Sequence, residues 1–169
     1  MSAIPAAAWS VRRLIPWLTI AAAVIALDQV AKAAVQAWLA PGQRIPVVPF
    51  VDLVLVFNTG AAFSFLADAS GWQRGFFIAV ALAAVALIVH LLRRHPDERL
   101  FCAGLALVLG GAIGNLWDRI VLGHVVDFVL LHAGGYHFPA FNVADSAITV
   151  GAGLLIWDGL WGKRGRGGG

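Results

Sequence analysis

The chain has 169 residues, of which 60% are hydrophobic and only 12% charged, with a net charge of +3. A water-soluble domain runs nearer half apolar and a quarter charged, so this composition excludes a soluble globular fold and indicates one integral membrane domain over residues 1–169. The lone Cys102 excludes a disulfide framework and a cysteine-rich metal centre.

About 20 apolar residues in a helix cross a bilayer, and four stretches qualify: Leu14 to Trp38, Phe76 to Leu92, Leu100 to Trp117 and Val143 to Trp161. The first follows Arg12-Arg13 as a secretory signal would. It is longer than a signal's apolar core and no small-x-small cleavage site follows, so it reads as a retained anchor. Tryptophans at 17, 38, 117, 157 and 161 fall near span ends, where amphipathic rings prefer the interface. With the N-terminus in the cytoplasm, eight of the twelve Lys and Arg residues lie inside, at 12, 13, 93, 94, 99, 163, 164 and 166. The other four, Lys32, Arg44, Arg74 and Arg119, lie in the outer half. The positive-inside rule therefore places both termini in the cytoplasm, and the basic charge needs no nucleic-acid partner.

Two connections then face outward, 39–75 and 118–142. In the first, Val47, Val48, Phe50, Val51 and Leu53 to Phe57 are mostly β-branched or aromatic, and Pro46 and Pro49 confine any strand start to an edge. Asn58-Thr59-Gly60 reads as a turn and Ala61 to Leu66 as a second short strand, giving a β region over about 43–67. The expected fold is an all-α integral membrane protein: a four-transmembrane-helix bundle with a small outward-facing β-sheet cradle resting on the outer leaflet. The second connection is expected as a short loop or helix.

Ionisable groups near membrane spans face a partner or a cavity. Here Asp28, Lys32, Asn58, Asn115, Asp118, Arg119, Asp127, Asn142 and Asp145 all gather in the outer half. Asp145 stands three residues after Asn142 at the start of the fourth span, a helix-capping arrangement that also fixes a carboxylate facing outward. Asp127 interrupts the apolar run Val125-Val126-Asp127-Phe128. Asp118 adjoins Arg119 and closes the third span; it reads as an ion-paired structural carboxylate, with membership of a carboxylate dyad as the alternative. Asp28 and Lys32 are spaced i,i+4 with the acid first, the favourable order for a helical salt bridge. Asp52, Asp68 and Asp158 read as ordinary surface or interfacial acids. Gly110 and Gly114 form a GxxxG face that places the third span centrally.

Other peptidase chemistries lack their residues. A serine–lysine dyad finds only Lys32, spoken for by Asp28, and cytoplasmic Lys163; GxSG and HExxH are absent. His124, His132 and His137 match no familiar metal spacing, and Cys102 lies at the cytoplasmic end of its span. No metal or cofactor is expected. Two carboxylates held close share one proton and can activate a water between them; the helix N-terminus makes Asp145 the more readily ionised.

Five segments carry a resemblance to the lipoprotein signal peptidase (signal peptidase II) family. They are Asp28-Gln29 with Lys32, Asn58 to Ser64, Gly110 to Asn115 with Asp118-Arg119, Val125 to Phe128, and Phe141 to Ser146. They come in the family's order and spacing over about residues 14–160. The resemblance implies an aspartic endopeptidase of the bacterial inner membrane, monomeric among membrane lipids, which cuts prolipoproteins before a diacylglyceryl-modified cysteine. It implies a catalytic dyad of Asp127 and Asp145. Asn58, Asn115, Arg119 and Asn142 would bind substrate backbone or orient the dyad, with Asp28, Lys32, Asp118 and Gly60 in support. Two other readings use the same polar residues: a small transporter or proton relay, which needs ionisable groups spread through the membrane depth, and a non-catalytic assembly subunit.

Overall fold

The computed structural model describes residues 6–60 and 72–162; the proposed strand at 61–66 lies outside the described residues. The order is α1 (Ala6–Trp38), β1 (Arg44–Val48), β2 (Val51–Asn58), α2 (Trp72–Arg94), α3 (Arg99–Val121), β3 (Val125–Ala133), β4 (Tyr136–His137) and α4 (Val143–Trp157), which ends in a π-helical turn, Asp158–Gly162. Each of the four helices contains a stretch long and apolar enough to cross a membrane. They match the four expected spans, with α2 starting earlier, at Trp72, and α3 running on to Val121. The chain is a multi-pass membrane protein.

α3 is the central helix. In its span window 56% of residues are buried, against 22% or less in the other three, whose remaining surface is left for lipid. Small residues permit this. A Cβ at Gly110 would stand 2.7 Å from the Ala21 carbonyl oxygen, and one at Gly114 2.9 Å from an Asp28 oxygen, so the GxxxG face seats α1. Gly104 and Gly111 face α4 instead: Gly104 lies backbone-to-backbone against Gly151, and Gly111 against the Ala144 carbonyl. Apolar packing at the far end joins Leu14, Ala21, Ile88, Leu92, Cys102, Leu105 and Leu109. At that end Arg13 pairs with Asp97 at 3.0 Å, and the Cys102 thiol donates to the His95 carbonyl.

The opposite end carries an antiparallel sheet in the order β1-β2-β3-β4. Its centre joins the two outward connections, with Val51 opposite Leu131, Val56 opposite Asp127 and Asn58 opposite Val125. The second connection is thus a nine-residue strand and a short return strand rather than a loop or helix. Its β-branched residues, Val125, Val126 and Val129, suit the strand, and β3 is buried from Val125 to Phe128 between its neighbours and the bundle. β1 is the edge strand, which tolerates Pro46, and the register shifts between Pro46 and Val48. Asp52 departs from the surface role expected of it. Only 2% exposed, it pairs with Arg44 of β1 and lies 3.2 Å from His132 Nε2 of β3. One buried carboxylate therefore ties three strands. Burial alone would raise its pKa, but the hydrogen bonds and charges of Arg44 and His132 outweigh that and hold it below 3.8.

Candidate active site

The site lies where the sheet meets the sheet-side ends of α3 and α4. Asn142 caps α4. Its side-chain oxygen accepts the Asp145 N–H at 2.9 Å, and the Asp145 carboxylate accepts the Asn142 N–H at 3.3 Å, a reciprocal capping box. The motif that starts the helix also aims Asp145. The Asn142 amide nitrogen turns the other way and donates to Asp127 Oδ1 at 2.7 Å. One side chain therefore holds both acids.

Asp127 projects from β3 and is 2% exposed. Its second oxygen accepts from Asn58 Nδ2 at 2.9 Å, a diagonal contact across the β2–β3 ladder. Asn58 is itself oriented by a turn, because its Oδ1 accepts the Gly60 N–H at 2.8 Å. Gly60 has φ +109°, a conformation that favours glycine, and a Cβ there would run into the Phe77 ring of α2. Burial pushes the Asp127 carboxyl up to about 6; the Asn58 and Asn142 donors and the Lys32 charge pull it down, and neighbouring Asp145 adds to the rise.

Both acids line one cavity of about 820 Å³, together with Asn58, Gly60, Phe77 and Arg119, and with apolar walls from Val56, Leu131, Phe138, Phe141 and Val150. Arg119 places its guanidinium 5.2 Å from the centre of the Phe77 ring and donates to the Asn115 carbonyl at 3.2 Å. Its buried Nε has no hydrogen-bond partner among the described residues.

Asn115 and Asn142 are 6% and 0% exposed and do not line the cavity; they stand behind the acids. Asn115 Nδ2 donates to Asp145 Oδ1 at 2.8 Å. Asp28, Lys32 and Asp118 lie deeper, each 2% exposed or less. Lys32 pairs with Asp28 at 2.6 Å, as the spacing indicates, and with Asp118 at 2.8 Å. Asp118 therefore pairs with Lys32, not with Arg119 as its sequence neighbour suggested: one turn of α3 directs it toward α1, while Arg119 turns to the cavity. Three contributors gave little sequence signal. Gln29 donates to Asp118 at 2.9 Å; Phe77 backs Arg119; and Arg74 caps α3 by donating to the carbonyls of Arg119 and Ile120 at 2.8 and 2.9 Å. Gln29 stands in the Asp28-Gln29 motif, but nothing in the sequence links Phe77 or Arg74 to α3.

The family model described as Signal peptidase (SPase) II matches residues 20–161. A lipoprotein signal peptidase of Paraburkholderia phymatum is 55% identical over 152 residues, covering 90% of this chain and 92% of its own. One from Azoarcus sp. is 56% identical over 144 residues, covering 85% and 82%. Among solved structures, a bacterial membrane enzyme determined by the in meso method at 1.9 Å superposes with a TM-score of 0.77 at 31% identity, over 86% of this chain and 93% of that one. A second, determined at 2.3 Å, gives a TM-score of 0.76. The chain belongs to the signal peptidase II family and is an aspartic endopeptidase.

Proposed function

We propose that the protein removes the signal peptide of diacylglyceryl-modified prolipoproteins by hydrolysing the bond before the lipidated cysteine, with Asp127 and Asp145 as the dyad. The observation that carries this reading is the pair of acids, held through one asparagine and opening on one cavity. Asp127, whose pKa burial raises to about 6, holds the shared proton, and Asp145 at the α4 N-terminus is the anion. Asp145 takes a proton from water as its oxygen attacks the scissile carbonyl carbon. Asp127 donates to the carbonyl oxygen as charge builds there. Collapse of the tetrahedral species breaks the C–N bond, and Asp145 returns its proton to the leaving nitrogen. The products are a signal peptide ending in a carboxylate and a lipidated cysteine with a free amine.

Arg119 and Asn58 line the cavity where a peptide backbone would lie. The apolar walls suit acyl chains and signal-peptide side chains. A lipidated cysteine keeps its chains in a leaflet, so the bond it precedes is presented at the membrane surface. The site's place under the sheet matches that depth. The basic residues at the opposite end orient the sheet outward from the cytoplasmic membrane, with both termini inside. The protein acts as a monomer among lipids. Transport finds no support, because the ionisable residues around α1, α3 and α4 collect at the sheet end instead of tracing a path across the bilayer.

The test is cleavage of a purified diacylglyceryl precursor in detergent, with the product identified by mass. A lipidated cysteine at the new N-terminus is expected, with the unmodified precursor left intact. Equal cleavage of both precursors would refute the substrate assignment.

A further inference from the structure

Lys32 is 2% exposed and does not line the cavity, so it touches no substrate. An ammonium has three donors and no acceptor. Here three acceptors surround it: Asp28 at 2.6 Å, Asp118 at 2.8 Å and Asn115 Oδ1 at 3.0 Å. Each of those partners leads to the dyad. Asp28 Oδ1 accepts the N–H of Ala144, the residue before Asp145, at 2.9 Å. Asp118 Oδ2 accepts the N–H of Val126, the residue before Asp127, at 3.2 Å. Asn115 donates to Asp145 itself at 2.8 Å.

We propose that Lys32 is a positioning residue for the reaction: by binding Asp28, Asp118 and Asn115 at once, it fixes the backbone at 126 against the backbone at 144 and so sets the span between the two acids. The proposal rests on the dyad reading above. A buried ion pair is weak grounds for stability, since desolvation offsets much of the attraction. What this cluster adds is geometry. Its arms run from α1 through α3 to β3 and to α4, the two elements that carry the acids. The Asn115 contact also fixes that amide's orientation: with Oδ1 facing the ammonium, Nδ2 must face Asp145. The charged groups around Lys32 are Asp28 on its own helix, Asp118 and Arg119 on α3, Asp127 on β3 and Asp145 on α4. In that setting its cation also favours the Asp127 carboxylate over the acid.

The experiment measures kcat, KM and the pH profile of kcat for cleavage of a diacylglyceryl precursor by purified full-length Lys32→Met, Lys32→Arg, Asp118→Asn and Asp127→Asn proteins. A displacement of about 1 Å costs on the order of 10²-fold in rate, so Lys32→Met is expected to lose about that in kcat with KM unchanged. Its pH profile should move to higher pH, because losing a nearby cation disfavours carboxylate forms. Lys32→Arg keeps the charge in a flat fork that cannot meet the three acceptors in the same way. It should hold the pH profile in place and recover only part of the rate. Asp118→Asn retains Lys32 and weakens one arm, and should lower kcat without raising KM; if Lys32→Met does not fold, this variant and Lys32→Arg decide. A purely structural role would reduce the yield of folded protein and leave kcat and the pH profile of the folded fraction untouched, which would overturn the proposal. So would a change confined to KM. If Asp127→Asn keeps turning over, the dyad reading fails and the proposal with it; if that variant is inert while Lys32→Met and Asp118→Asn match wild type, the positioning role alone fails.

Discussion

Replacing Asn142 with alanine removes a side chain that is fully buried and makes contacts in two directions. Toward α4 it loses the cap on the Asp145 N–H, worth about 1 kcal/mol. Toward β3 it loses the 2.7 Å bond to Asp127, leaving a buried oxygen unsatisfied at about 1–3 kcal/mol. The expected loss of stability is therefore about 2–4 kcal/mol, the sum of those two. The rate should fall on the order of 10²-fold, because neither acid keeps its restraint. The sign of the pH effect follows from the donor's role. Asn142 favours the Asp127 carboxylate, so without it the value near 6 rises, and the alkaline limb of kcat/KM, where the pair gives up its shared proton, moves to higher pH. Asn142→Asp separates the two halves: it keeps the capping oxygen but turns the donor facing Asp127 into an acceptor, so the cap survives and the rate does not. Thermal unfolding in detergent and gel-shift cleavage read both quantities. Wild-type turnover by Asn142→Asp would refute the view that this asparagine orients the dyad.

Gly60→Ala forces a Cβ onto the Phe77 ring at a positive φ, and should reduce cleavage by displacing Asn58 and the ring beneath Arg119; steady-state rates at equal folded protein check this. Gly111→Ala pushes α3 off the Ala144 carbonyl, one residue from Asp145, at a cost of about 1–3 kcal/mol. Gly153→Ala on α4 meets nothing within 4 Å and should be neutral or stabilising by up to about 1 kcal/mol, so melting temperatures of the two should move apart. Asp52 has a folded pKa below its unfolded one, so its contribution is present above about pH 4 and is lost as the pH falls through the folded value. Asp52→Asn should flatten the acid dependence of unfolding below that point, measured by thermal melts across an acid series.

The four spans were legible because about 20 apolar residues in a row have few alternatives. The two acids were legible because a charge inside Val125 to Phe128 and another at a helix start both need a reason. The second neighbour of β2 was not. Sequence reading expected the second connection as a short loop or helix, whereas it supplies β3, which pairs with β2 on the side away from β1. Alternation along β3 gave no hint, because β3 is buried on successive residues from Val125 to Phe128. Asp52 was misjudged because an ion pair is made across space: its partners, Arg44 and His132, come from other strands. Asp118 is ion-paired, as its reading had it, and its partner is Lys32 of α1, while Arg119, the nearest cation in sequence, points elsewhere.

The most direct measurement is single-turnover cleavage of a diacylglyceryl precursor by Asp127→Asn and Asp145→Asn, each shown to be folded by thermal melting. Both should bind the precursor and leave it uncut, because an amide can neither take the water's proton nor share one with its neighbour. Turnover near the wild-type rate by either variant would contradict the two-acid account.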